Sequence, residues 1–236
     1  MCSKRYFEGD EHARLYVSAR PTVPDNLLDI ITHYMNSSST GDMKMAVDIA
    51  CGSGQSSIPL AERFEKVLGI DISDKQIEQA KGRNLGDKIE FQVGAGEVIP
   101  VPDNSVDLVF CCTAVHWLDI KAFLTEAKRA LRPGGVLAVT SFHHWEDPIN
   151  LPEDKHKLFV QAWNEYEEMI RGHFDPAIDL YYDKYKAIHP LDGFSDCVYH
   201  PDIKFRREAS LRCQLDFFMS ASAYQNMIKA DPDKAQ

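Results

Sequence analysis

"VDIACGSGQSS", residues 47–57, runs from an apolar stretch with an embedded acid into a turn with two glycines, after which a regular pattern resumes. Gly52 and Gly54 lack a Cβ, so the backbone there can come close to a ligand. The helix that follows offers free N–H groups at its N-terminus, where a phosphate or carboxylate is favoured. A G-x-G turn alone also occurs for purely structural reasons, so its meaning depends on the rest of the chain.

On either side the pattern alternates. Strands are expected at 44–50, 66–72, 88–94, 105–112 and 136–142, with helices at 56–64, 73–83 and 119–131. Alternation of this kind gives βαβ units and a mainly parallel, doubly wound sheet covered on both faces. Ligands bind such sheets at the carboxyl ends of the strands, where the turn at 48–57, Asp71, residues 94–97 and residues 111–117 fall. The polar stretch NSSSTGD (36–42) separates an N-terminal helical arm, 1–36, from a core over 44–142. Residues 145–192 are rich in aromatics and acids and read as a helical cap over the strand ends. A strand near DIKFRRE (202–208) and a helix over about 211–228 complete one domain spanning 1–236.

The bulk properties exclude other classes. With 236 residues the chain suits one sizeable α/β domain. A net charge of −10 opposes nucleic-acid binding, which needs clustered Lys and Arg; Arg206-Arg207 is the densest basic spot. No apolar run reaches the length of a membrane span, and MCSKRYFEGDEHAR is too polar for a secretory signal. The six cysteines form no CxxC pair and are expected to be reduced, in a cytoplasmic setting without zinc. His143, His144 and Trp145 follow the fifth strand. Adjacent histidines rarely converge on one ion, so His143 and Trp145 are expected to line a pocket rather than hold metal.

Asp71 ends the second strand, where an acid accepts both hydroxyls of a ribose and rejects a 2′-phosphate. Asp48, inside the first strand, can order the loop or receive an ammonium. An adenosine ligand with a free ribose fits both. A nicotinamide dinucleotide wants a third glycine where Ser57 stands; S-adenosylmethionine needs a place for its amino-acid tail.

VDIACGSGQSS, GIDIS (69–73), VGAGEVIPVPDNSVDLVF (93–110) and KRALRPGGVLAV (128–139) occur in this order, and together they resemble the class I S-adenosylmethionine-dependent methyltransferases. LYVSARPTVPDNLLDII (15–31), TAVHWLD (113–119) and SASAYQNMIK (220–229) further resemble the trans-aconitate methyltransferase-like group, which methylates carboxyl groups of small acids. The resemblance implies S-adenosylmethionine as cofactor, with Asp48, Ala50, Gly52 and Gly54 forming the methionine-side loop and Gln55 starting the next helix. It implies that Asp71 holds the ribose, Ile72 packs on the adenine, Gly96 and Glu97 lie at the adenine edge, and Cys112 and Thr113 line the methionine tail. Many members carry an acid where Ala95 stands, a role left here to a backbone carbonyl or to Glu97.

His116 and Trp117 are expected between cofactor and acceptor, with His116 orienting the acceptor or taking its proton. Tyr16 or Arg20 of the arm is expected to reach the site, and Arg20 and Arg171, the latter from the cap, are the cationic candidates to meet an acid, because a guanidinium pairs with a carboxylate through two bonds. Methyl transfer is an in-line displacement, and positioning supplies about 7–11 kcal/mol of its barrier lowering. A carboxylate, with a pKa near about 4, needs no base; an amine or phenol does.

The resembled family closes its sheet with a C-terminal strand. KADPDKAQ leaves no residues to make one, so an open edge is expected, or completion by a second copy; a monomer and a homodimer both suit. The rival readings are a nicotinamide-dependent dehydrogenase, an inactive short form acting as a binding protein, and N- or O-methylation of another small metabolite with His116 as base. A nucleic-acid methyltransferase is opposed by the charge.

Overall fold

The computed structural model describes residues 10–38, 43–83, 86–142, 151–201, 203–205 and 208–231. Five parallel strands form one sheet: β1 (Met45–Ile49), β2 (Lys66–Asp71), β3 (Ile89–Val93), β4 (Val106–Cys112) and β5 (Leu131–Thr140), in the order β3-β2-β1-β4-β5. The helices are α1 (Asp10–Ala19), α2 (Asp25–Ser38), α3 (Ser57–Arg63), α4 (Asp74–Lys81), α5 (Ile120–Ala130), α6 (Glu153–Ile170), α7 (Ile178–Tyr182), α8 (Leu211–Met219) and α9 (Ser222–Ala230). The alternation expected over 44–142 is present.

Both sheet faces are covered, and the period-2 alternation of strand side chains divides the core in two. Val47 and Ile49 of β1 join Phe123, Leu124 and Ala127 of α5 on one face. Ala46 joins Leu28 and Ile31 of α2 and Leu60 of α3 on the other. Helix starts follow the capping residues. Ser73 Oγ accepts from Gln76 N at 3.3 Å, and the Asp119 carboxylate accepts from Ala122 N at 3.1 Å, each satisfying an orphan N–H of the first turn.

The chain builds outward from β1 to β3, then crosses to the other side of β1 for β4 and β5. The connections that leave the carboxyl ends of β1 and β4 therefore run to opposite faces of the sheet, which makes the switch-point crevice of such sheets. Ile49 and Cys111 are paired in register. Just beyond each strand a non-glycine residue takes a left-handed conformation, Ala50 at φ 53° and Thr113 at φ 53°. Each such residue costs about 1 kcal/mol or more, and the two bends occur at the mouth of the crevice.

Three expectations change. β5 begins at Leu131 rather than 136, and ends at Thr140 rather than 142. RPGG does not end the helix region but forms an irregularity within β5: the register to β4 shifts between Val106 and Leu108, and Gly134 at φ 80° absorbs the extra residues. The helix expected over 211–228 is two helices, α8 and α9, broken around the buried Ser220. Of the strand expected at 202–208, residues 203–205 and 208 lie in no strand, and 202, 206 and 207 lie outside the described residues. Ile203 and Phe205 instead pack on the α2 side of the core, and Asn26 donates to the Lys204 carbonyl at 2.8 Å. Among the described residues no strand follows β5.

Candidate active site

The glycine turn is fixed by its neighbours. Cys51 N donates to Ile70 O at 3.0 Å and Gly54 N to Cys51 O at 3.0 Å. Gly52 (φ 56°) and Gly54 (φ 90°) both occupy the left-handed region. A Cβ on Gly52 would stand 3.3 Å from the Tyr16 ring, and one on Gly54 would stand 3.0 Å from Phe91 Cζ. The first glycine thus faces the N-terminal arm and the second faces the core.

Asp71 ties the turn to β2. Its Oδ2 accepts from Gly52 N at 2.8 Å and its Oδ1 from Ser73 N at 2.8 Å. A carboxylate is an acceptor only, so Asp71 can meet donors of the turn and ligand hydroxyls but no acceptor. Behind the turn, Asp48 is fully buried, its Oδ2 accepts from Ser57 Oγ at 2.6 Å, and the Ser56 hydroxyl also acts on it. Burial pushes its carboxyl up to about 7, against the bond from Ser57.

One cavity runs from this turn to the helical cap. It measures about 220 Å³, several times the roughly 30 Å³ share of a liquid water. Of the residues expected at a site, Ala50, Gly52, Asp71, Ile72, Gly96, Glu97, Cys112, Thr113, His116, Trp117, Tyr16 and Arg20 all line it. Asp48, Gly54 and Gln55 do not; they are buried beneath the turn, where Gln55 Nε2 donates to Ser53 Oγ at 2.8 Å. Arg171 does not line the cavity either: its side chain is 72% exposed beside Glu168, from where its charge acts on the lining Glu167. His143 and Trp145 lie outside the described residues.

The structure adds residues that sequence reasoning missed. Gln76 of α4 lines the cavity at 1% exposure, and neither its amide oxygen nor its nitrogen has a partner. Such a buried amide is costly without a ligand and suits one with polar edges. Glu167 and Ile170 of α6 are also new; they share a helical face with Trp163 and Tyr166, two of the aromatics expected in the cap. Burial raises the Glu167 carboxyl, partly opposed by Arg171. Glu97, expected at an adenine edge, also accepts from Asp119 N at 2.8 Å and so steadies the start of α5.

The arm reaches the cavity through Arg20. Its guanidinium carbon lies 4.9 Å from the Tyr16 ring centroid and 4.3 Å from that of Phe217. Nε donates to Ser220 Oγ at 3.0 Å and Nη2 to Ser220 O at 3.3 Å. His12 Nε2 lies 2.9 Å from the same carbonyl. Ser220, where α8 meets α9, thus joins both ends of the described chain. Arg20 is the one Lys or Arg among the lining residues, and no carboxylate pairs with it among the described residues.

His116 sits in a 3₁₀ turn, Val115–Trp117, after β4. It is buried, its Nδ1 lies 2.9 Å from Tyr185 Oη, and its ring packs 4.3 Å from that of Trp117. Burial lowers its pKa to about 4, against the charge of Asp175, so it is neutral at pH 7. The thiol of Cys112 is held up to about 11 by burial and is not a nucleophile at neutral pH. Among the described residues no three His, Cys, Asp or Glu side chains converge as metal ligands, and no helix is long and apolar enough to cross a membrane.

Comparison with known proteins adds an independent line. A family profile described as a methyltransferase domain matches residues 47–139. A Dictyostelium discoideum protein, assigned by inference as a methyltransferase, is 30% identical over 218 residues, which is 92% of this chain and 78% of the relative. Trans-aconitate 2-methyltransferase of Deinococcus radiodurans is 33% identical over 129 residues, covering 53% of this chain and 46% of its own. A solved structure from Anaeromyxobacter dehalogenans, described by inference as a type II methyltransferase, superposes with a TM-score of 0.65 at 23% identity, over 90% of this chain and 83% of that one.

Proposed function

The chain belongs to the class I S-adenosylmethionine-dependent methyltransferases, and from that premise we propose that it methylates the carboxylate of a small organic acid. S-adenosylmethionine, when bound, supplies a methyl group activated on a sulfonium. The residues present fit it. Asp71 presents an acceptor carboxylate on the cavity wall, Gly52 leaves the backbone open, and the unpartnered Gln76 amide offers a donor and an acceptor. Ile72 and residues 94–97 would take the adenine, and Cys112 and Thr113 the methionine tail. Asp48 and Gln55 would act from beneath, by holding the loop.

The observation that carries the acid reading is Arg20. It puts a positive charge, with no carboxylate partner among the described residues, on the wall of a cavity otherwise rich in aromatic side chains from the cap and α8. There it would orient an acceptor carboxylate, which arrives already ionised. Trp163, Tyr166, Phe174, Tyr181 and Phe218 would exclude water around it. The likeness to trans-aconitate 2-methyltransferase over half the chain supports the same substrate class. The chain's net charge of −10 supports a small-molecule acceptor over nucleic acid.

A second reading, methylation of a hydroxyl or amine with His116 as base, draws on the neutral state of that imidazole at pH 7. The test is a screen of small mono-, di- and tricarboxylic acids, phenols and amines with isotope-labelled cofactor. Label entering acids as alkali-labile methyl ester supports the proposal. Label entering amines or phenols alone overturns it.

A further inference from the structure

The hydrogen bond between His116 and Tyr185 has two possible directions, and the surroundings select one. Tyr185 is 6% exposed, and His116 Nδ1, at 2.9 Å, is the partner of its hydroxyl among the described residues. If Nδ1 carried the proton, the phenolic hydrogen would be buried with no acceptor. If the phenol donates to Nδ1, its hydrogen is satisfied and the imidazole proton resides on Nε2. His116 lines the cavity and Tyr185 does not, so Nε2 is the ring nitrogen left for a ligand.

The backbone supports a dedicated placement. Lys184 (φ 56°) and Tyr185 (φ 61°) are consecutive left-handed non-glycine residues after α7. Two strained residues in succession persist only where the surroundings hold them. Here Tyr185 N donates to Leu180 O at 3.0 Å, and the side chain enters the apolar layer beside Cys111, Val115 and Phe123.

We propose that Tyr185 is a positioning residue: its hydroxyl donates to His116 Nδ1, fixes the Nε2–H tautomer, and makes His116 a hydrogen-bond donor to an anionic acceptor rather than a base. The substrate class named here rests on the acid reading above; the tautomer does not. With Arg20, whose charge acts on Tyr181, and His116, whose ring lies 5.8 Å from the Tyr181 ring, the acceptor end of the cavity then carries two donors suited to a carboxylate. Hydroxyl and amine acceptors find no proton acceptor on His116.

The experiment is two-bond ¹H–¹⁵N correlation spectroscopy on the full chain labelled at histidine, with S-adenosylhomocysteine present at pH 7. The His116 signals are identified by their loss in His116→Gln. The expected result is a neutral ring protonated on Nε2, with Tyr185→Phe shifting the population toward Nδ1–H by several-fold. A wild-type ring protonated on Nδ1 overturns the proposal, as does a Tyr185→Phe spectrum identical to wild type. Should Tyr185→Phe fail to fold, the wild-type spectrum alone decides. An acid panel that accepts no methyl group overturns the acid reading separately, because the tautomer is read without an acceptor.

Discussion

Asp71 Oδ2 accepts the Gly52 N–H at 2.8 Å, so the acid that closes β2 also fixes the glycine turn that follows β1. In the proposed function the same side chain both builds the turn and meets the ribose. On that reading Asp71→Ala should weaken ribose binding, and it frees two backbone donors, at Gly52 and Ser73. Charge-assisted bonds contribute about 1.5–3 kcal/mol each. The Kd for S-adenosylmethionine is expected to rise by about 10–100-fold in calorimetry; an unchanged Kd would mean that the ribose lies elsewhere.

Arg20 serves the acceptor rather than the cofactor in this account. Arg20→Ala should raise the acceptor KM by about 10–100-fold, the scale of one lost charged contact, while the cofactor Kd stays within about 3-fold. Arg20→Lys should rescue little. An ammonium cannot reproduce both bonds to Ser220 together with the stacking between Tyr16 and Phe217. Initial-rate kinetics on an accepted acid, beside calorimetry, separates the two effects.

Asp48 makes stability fall as pH rises. Its folded-state pKa is about 7 against a usual 3.8, so between those values the native state holds more protons than the unfolded state. The penalty is absent near pH 4, grows through pH 7 and is complete above it, on the order of 4 kcal/mol at most. His116 works oppositely: its lowered pKa costs stability as pH falls from 6.5 to about 4. The readout is thus the difference between wild type and Asp48→Asn in urea unfolding from pH 5 to 8.5. The variant should gain relative stability as pH rises; a constant difference would contradict the buried-carboxyl account.

Gly54 of the turn and Gly86, ahead of β3, both have positive φ but differ in surroundings. Gly54→Ala combines φ +90° with a Cβ 3.0 Å from Phe91 Cζ, and should cost about 1–3 kcal/mol. Gly86→Ala, at φ +76° with nothing within 4 Å of a Cβ, isolates the backbone component and should cost less. Thermal unfolding of the two variants checks the order.

Replacing His116 by a donor without a basic ring discriminates its two roles. His116→Gln keeps an amide donor at the reach of Nε2 and should hold activity on an acid within about 10-fold. His116→Leu should lose more. If both lose about 10²-fold or more alike, general-base catalysis is the better account.

Much of this was legible in the sequence because it is local. Strand and helix periods over 44–142 and the glycine turn each leave a signal within a few residues. What the sequence did not show depends on distant partners. The break at Ser220 arises from bonds to His12 and Arg20, some 200 residues away. Gln76 reads as an ordinary helical glutamine until its burial is seen. Tyr185 looks like one aromatic among many in the cap, since nothing nearby reveals His116 above it. Arg171 lies outside the cavity lining because phase as well as charge places a side chain: Trp163, Glu167 and Ile170 share the lining face, and Arg171 follows by one residue, largely exposed. RPGG read as a boundary because a bulge and a turn use the same residues.

The most direct test is calorimetric titration of the full chain with S-adenosylmethionine, with NAD as the comparison ligand. The account predicts one saturable site for S-adenosylmethionine, weakened by Asp71→Ala, and no heat with NAD. Binding of NAD, or of neither ligand, would contradict it.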